Sequence, residues 1–271
     1  MELWFILLPA FAMSALMILS HTYLGLHVLA RGIIFVDLAL AQVAALGVSI
    51  AFLLGEDPHG ISAQFYAFTS TLIAAFGFAL LRRVAGKTTR EVIIGCVYVV
   101  TTALSIVVLS RSAQGMDELR SLFNGNILWV SWSEIVVMAV VTVLFGLFHY
   151  LYRRHFHTLS FNSEGGLQPS FLWEFLFFAS FAVIITFAVN IAGVLLVFAF
   201  LIIPAFSASL ISRSHRIRLA IGWGFGLLGV AAGLWIAYTA DLPVGATMVA
   251  IIGLLPILAL TIQYGKRAIY R

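Results

Sequence analysis

Apolar runs, each about as long as a helix that crosses a bilayer, follow one another along the chain, near 3–29, 33–55, 62–81, 91–110, 133–152, 171–190, 191–211, 219–239 and 245–264. A spanning helix needs about 20 mainly apolar residues, because the hydrocarbon core is ~30 Å thick. No run alternates with a period of two, which excludes a lipid-embedded barrel. Helices are then the remaining way to satisfy every backbone amide and carbonyl in lipid. Composition agrees: the chain is 62% apolar and 10% charged, against about 45–50% and 25% for soluble domains. The expected fold is all-α, a polytopic membrane protein of about eight to nine transmembrane helices. No polar stretch is long enough for a second domain, so residues 1–271 read as a single transmembrane domain. The count turns on Phe171 to Ser212, which is either one bent pair or a tight hairpin near Asn190–Gly193. The start, MELWF, has no basic stretch ahead of the first apolar run, which reads as a retained membrane helix rather than a cleaved signal.

Lys and Arg sort the loops. One alternating set carries Arg31, Arg82, Arg83, Lys87, Arg90, Arg153, Arg154, Arg213, Arg216, Arg218, Lys266, Arg267 and Arg271; the other carries only Arg111 and Arg120. The excess marks the cytoplasmic side, so with nine spans the C-terminus lies inside. The opposite loops hold Glu56, Asp57, Asp117, Glu118, Glu134 and Asp241, which either raise the local cation concentration or simply solvate loop ends. The net charge of +4 is scattered over short loops and is no nucleic-acid signal. A single cysteine, Cys96, excludes disulfides within the chain and a cysteine-cluster metal site.

The run Arg31–Leu54, RGIIFVDLALAQVAALGVSIAFLL, contains a carboxylate, Asp37, and an amide, Gln42. A charge inside a spanning helix costs at least ~2.5–3.5 kcal/mol and faces a protein interior or a water-filled path. Asp37 therefore either lines a route for a small polar solute, a metal cation above all, or is tied to another helix. Two stretches break the pattern of helix and loop. Residues 116–132 are apolar in patches but too short and broken to span, and residues 158–169 form a polar, Gly-bearing segment on the basic side. His149, His155 and His157, with Arg153 and Arg154, read as a basic collar whose stems lie along the membrane edge. His59 could meet incoming metal or be an ordinary loop residue. His21 and His27 are six residues apart and do not share a helix face. Glu91 is expected to favour the N-terminus of its own helix. Gly222/Gly226 and Gly229/Gly233 have the spacing of close helix packing, in a tight bundle or a dimer. No phosphate-binding loop, metalloprotease motif or nucleophile elbow is present, so ATP hydrolysis is not expected on this chain.

Five motifs in order, RGIIFVDLALAQVAALG (31–47), EVIIG (91–95), LRSLFNGNILWVSWSEI (119–135), NIAGVLLVFAFLIIPAFSASLISRS (190–214) and DLPVG (241–245), resemble the permease subunit of bacterial ABC importers for zinc, manganese or iron. The resemblance implies Asp37 as a metal ligand, an outer gate at Phe123, Asn124, Ile127 and Leu128, and an ATPase-coupling segment at Asn162, Glu164, Gly165 and Gly166. It also implies a cytoplasmic ABC ATPase, an extracytoplasmic metal-binding protein, a homodimer of this chain in the cytoplasmic (inner) membrane, and a transported divalent metal ion with no covalently bound cofactor. Family members carry a His four residues after the Asp. Here that place falls on Ala41 or, counted back from Gly47, on Gln42, as though one extra residue were absorbed by a local π-bulge. An amide oxygen is a harder, weaker ligand than imidazole, which moves the expected preference away from zinc. The rival reading is an ion-coupled secondary transporter that uses Asp37 as its cation or proton site; no inverted repeat supports it in the sequence.

Overall fold

The computed structural model describes residues 2–58, 60–111, 115, 117, 125–161 and 170–269. Among them the chain is helical, without strands: α1 (Glu2–Arg31), α2 (Val36–Leu53), α3 (Ile61–Val84), α4 (Lys87–Leu109), a 3-10 turn (Ile127–Trp129), α5 (Trp132–Leu151), α6 (Arg153–Phe161), α7 (Phe171–Ile211), α8 (His215–Thr239), α9 (Val244–Ile252) and α10 (Leu255–Ile269).

The open count resolves at Gly193. At 1.5 Å per residue the 41 residues of α7 would run about 60 Å, twice the hydrocarbon core. Gly193 has φ 75° and ψ 160°, a conformation open essentially to glycine alone. Near one end of α1, Phe177 lies under Arg31 while the Leu201 carbonyl abuts Gly25. At the far end, Ile191 accepts a hydrogen bond from the Asn126 amide at 2.8 Å. Both ends of α7 thus lie at the basic end of the bundle and Gly193 at the other, so α7 is a hairpin of two spanning arms. Together with the seven other apolar segments of spanning length, this gives nine passes among the described residues.

Two expected elements differ. The last span is not one helix: α9 ends at Ile252 and α10 begins at Leu255. Pro256 has no N–H to donate and its ring opposes the carbonyl four residues back, which breaks the ladder there. Glu134, counted from sequence among outer solvating acids, closes α5 instead. Its Oε2 accepts from the Ser131 amide at 2.8 Å while Ser131 Oγ accepts from the Glu134 amide, a capping box.

The core lies where the α7 arms meet α1, with Met13, Met17, Phe177, Phe181 and Phe200 fully buried. The glycine pairs of α8 serve the bundle itself. Gly222 and Gly226 meet Thr22 and Ile18 of α1, and Gly229 and Gly233 meet Ile252 and Met248 of α9. In lipid, where apolar burial gives little net drive, such close van der Waals contact holds helices together. α2 is the most enclosed span: 72% of its 18 residues are buried, against 17% of the 18-residue apolar stretch of α4.

Candidate functional site: an enclosed carboxylate helix between two clustered poles

The five sequence motifs, scattered over the chain, gather at two poles. At the basic end the first two meet. The Phe35 amide, at the start of α2, donates to Glu91 Oε1 at 3.0 Å, and Gly95 faces the Phe35 ring. Glu91 therefore caps the neighbouring helix α2, not its own helix as expected from sequence; the favourable dipole is that of α2. At the opposite end the third and fifth converge with the start of the fourth. Gly125 (φ 64°) has Ala192 and Gly193 where a side chain would stand. A cavity of about 680 Å³ there is walled by Asn126, Ile127, Leu128, Leu195, Pro243 and Val249.

Asp37 stands in the first turn of α2 and is 1% exposed, and neither carboxylate oxygen has a hydrogen-bond partner among the described residues. Gln42 is equally buried, its side-chain nitrogen likewise unpartnered. α2 is α-helical throughout, with no π-turn between them. Five residues of α-helix turn ~140° and rise ~7.5 Å, so one copy of α2 presents the two side chains on different faces. Ile127 and Leu128 border the cavity at the pole opposite the basic end. Phe123, Asn124, Asn162, Glu164, Gly165, Gly166 and His59 lie outside the described residues.

Sequence reasoning missed Glu174. It sits in the first turn of α7, 1% exposed, and pairs with both Arg31 at the end of α1 and Arg82 at the end of α3. Arg31 also lies over the rings of Phe177 and Phe178, at 4.4 and 4.9 Å, and Arg82 reaches the Leu159 carbonyl of α6 at 3.4 Å. One carboxylate thus ties α1, α3 and α7, with α6 attached through Arg82. Removing one partner of a buried pair leaves an uncompensated charge and costs about 3–5 kcal/mol. The available signal was a lone acid within the apolar run FLWEFLFF.

His149 also departs from expectation. It does not extend to the membrane edge with the basic collar: it is 3% exposed, its Nε2 lies 2.9 Å from Ser180 Oγ and its Nδ1 3.2 Å from Tyr23 Oη, and it stacks on Phe156. No group of three His, Cys, Asp or Glu close enough to hold a metal ion occurs among the described residues.

The family model described as the ABC 3 transport family matches residues 4–263. The chain belongs to the ABC 3 transport family. Among relatives in the family, the manganese transport system membrane protein MntC of Listeria monocytogenes is 27% identical over 238 residues, covering 84% of this chain and 80% of the relative. The protein of the same name from Halalkalibacterium halodurans is 24% identical over 234 residues, covering 84% and 77%. Among solved structures, PsaBC from Streptococcus pneumoniae in complex with Fab superposes with a TM-score of 0.76 at 20% identity, covering 94% of this chain and 92% of that one. An inward-facing metal-chelate type ABC transporter superposes at 0.69, with 17% identity and 95% and 88% coverage. This member of the ABC 3 family is a membrane-spanning transport permease with the fold of those structures.

Proposed function

We propose that the chain is the permease of an ATP-driven importer of a divalent transition-metal cation, with manganese or iron(II) preferred to zinc. The observation that carries this is Asp37, a buried carboxylate without a partner among the described residues, on the most enclosed helix of an ABC 3 family fold. A carboxylate so placed is costly unless it serves a cation or a proton. The two relatives described above bear the name of manganese systems, and one from Haemophilus influenzae that of an iron system. Carboxylate and amide oxygens favour harder ions, whereas imidazole, absent here at the expected place, suits zinc.

A single α2 directs Asp37 and Gln42 to different faces, and both are buried within their own subunit, so Asp37 serves the ion inside each copy of a two-copy assembly. Ile127 and Leu128, with Phe123 and Asn124 of the same segment, form the outer gate. An extracytoplasmic metal-binding protein delivers the ion there. Asn162, Glu164, Gly165 and Gly166 follow α6 and meet the cytoplasmic ATPase, which hydrolyses ATP; the chain needs no resident cofactor. The Glu174 junction then connects the ATPase-facing segment to α1 and α3. The protein lies in the cytoplasmic membrane, with the basic end and the C-terminus inside.

Cells lacking the gene test this. Grown on scarce metal, they are expected to hold several-fold less manganese or iron than the parent, by elemental analysis, with restoration by a plasmid copy. Unchanged metal content in every limiting medium contradicts the reading.

A further inference from the structure

A cavity of about 990 Å³ lies away from Asp37. It is a cleft at the basic end, floored by α1 and flanked by α5 and α8, which pack on α1 without packing closely on each other. Arg153 and Arg154 of α6 and Arg216 of α8 stand at its rim with His157 and His215, whose rings are 5.8 Å apart. No Asp or Glu lines it, and among the described residues no carboxylate pairs with any of the three arginines, both ion pairs being on Glu174. Two polar atoms on its wall, Thr142 Oγ1 and His215 Nδ1, are buried without a hydrogen-bond partner among the described residues. Below the rim the walls are mainly apolar, with Leu19, Phe145, Leu219 and Trp223, and Ser20, Tyr23, His27 and His149 stand among them.

A cationic rim repels the metal cargo and so excludes this cleft as its exit. A small anion would satisfy the rim and leave the apolar trough unused. The two together fit a molecule with an anionic head and a hydrocarbon body. The height is right as well: the Arg153 guanidinium lies 4.6 Å over the ring of Tyr150, which is 64% exposed, an arrangement of cation and aromatic that marks the headgroup level. The flanks carry exposed Val143 and Leu147 on α5 and Ile217 on α8, as surfaces facing lipid do.

We propose that this cleft binds an anionic phospholipid, its phosphate held by Arg153, Arg154 and Arg216 and one acyl chain lying between α5 and α8. The site is separate from Asp37 and does not depend on which ion is carried. It would make the permease sensitive to the anionic lipid content of the cytoplasmic leaflet.

Native mass spectrometry and thermal unfolding of the purified full chain in a neutral detergent test it, with phosphatidylglycerol, phosphatidylcholine and inorganic phosphate as probes. Phosphatidylglycerol alone is expected to bind and to raise the unfolding temperature. The triple variant Arg153→Gln, Arg154→Gln, Arg216→Gln should weaken its binding by roughly a hundredfold, at about fivefold per arginine. Gly146→Phe keeps every charge but fills the trough; the position has open space around it, so the variant should fold and also lose the lipid. Equal stabilisation by inorganic phosphate overturns the proposal in favour of a simple anion site. Equal binding of phosphatidylcholine, or phosphatidylglycerol binding unchanged in both variants, overturns it too. If the triple variant retains the lipid but no longer assembles with its ATPase, the rim is a protein interface and the proposal fails.

Discussion

Asp37 was legible because a carboxylate inside an apolar run has few acceptable explanations in lipid. Its environment was not. The sequence allowed a π-bulge that brings residue 42 beneath residue 37, whereas α2 is regular and sends Gln42 to another face. Glu174 was invisible for the opposite reason. Its meaning depends on Arg31 and Arg82, which lie 143 and 92 positions away in sequence and meet it only in the fold. The residue-scale prediction concerns Asp37→Asn, which keeps the shape and removes the charge. Transport should fall by roughly a hundredfold or more, since groups that merely orient a metal ligand are themselves worth 10–100-fold. Expression and unfolding temperature should hold, because removing a buried charge eases insertion. Normal metal uptake by this variant would make Asp37 a structural residue.

At the scale of elements, the spans were readable to within a few residues because the apolar runs are long and the basic loops punctuate them. The count stayed open where punctuation is absent. Between Phe171 and Ser212 no charged residue marks the reversal, and the backbone of Gly193 with the packing of both arms on α1 decides for a hairpin. Gly193→Ala forces a side chain into φ 75°, ψ 160°, at a cost of about 1–3 kcal/mol. A fall of several degrees in the unfolding temperature in detergent is the expected result; no change would place the reversal elsewhere. The interiors of the two hairpin arms, by contrast, follow directly from their composition, with large aromatics buried against α1.

Across the whole molecule, the order of motifs along the chain concealed their grouping. Motifs one and two meet at the basic pole, and motifs three and five meet the start of motif four at the opposite pole, an arrangement that only the packing reveals. The assignment of inside and outside follows from 13 of 15 Lys and Arg lying in one set of loops. In a Cys96→Ser background, Asp57→Cys should react with an impermeant thiol reagent added to intact cells and Gly86→Cys only after lysis; the reverse pattern inverts the topology. The central claim is that this fold moves a transition-metal ion at the expense of ATP. Its most direct measurement is accumulation of radiolabelled manganese or iron in liposomes holding the permease with its ATPase, with the binding protein and metal on the permease's outer face and ATP on its cytoplasmic face. The account predicts accumulation that requires ATP and survives collapse of the proton and sodium gradients. Uptake driven by an ion gradient in the absence of ATP would contradict it and establish the secondary-transporter reading of Asp37.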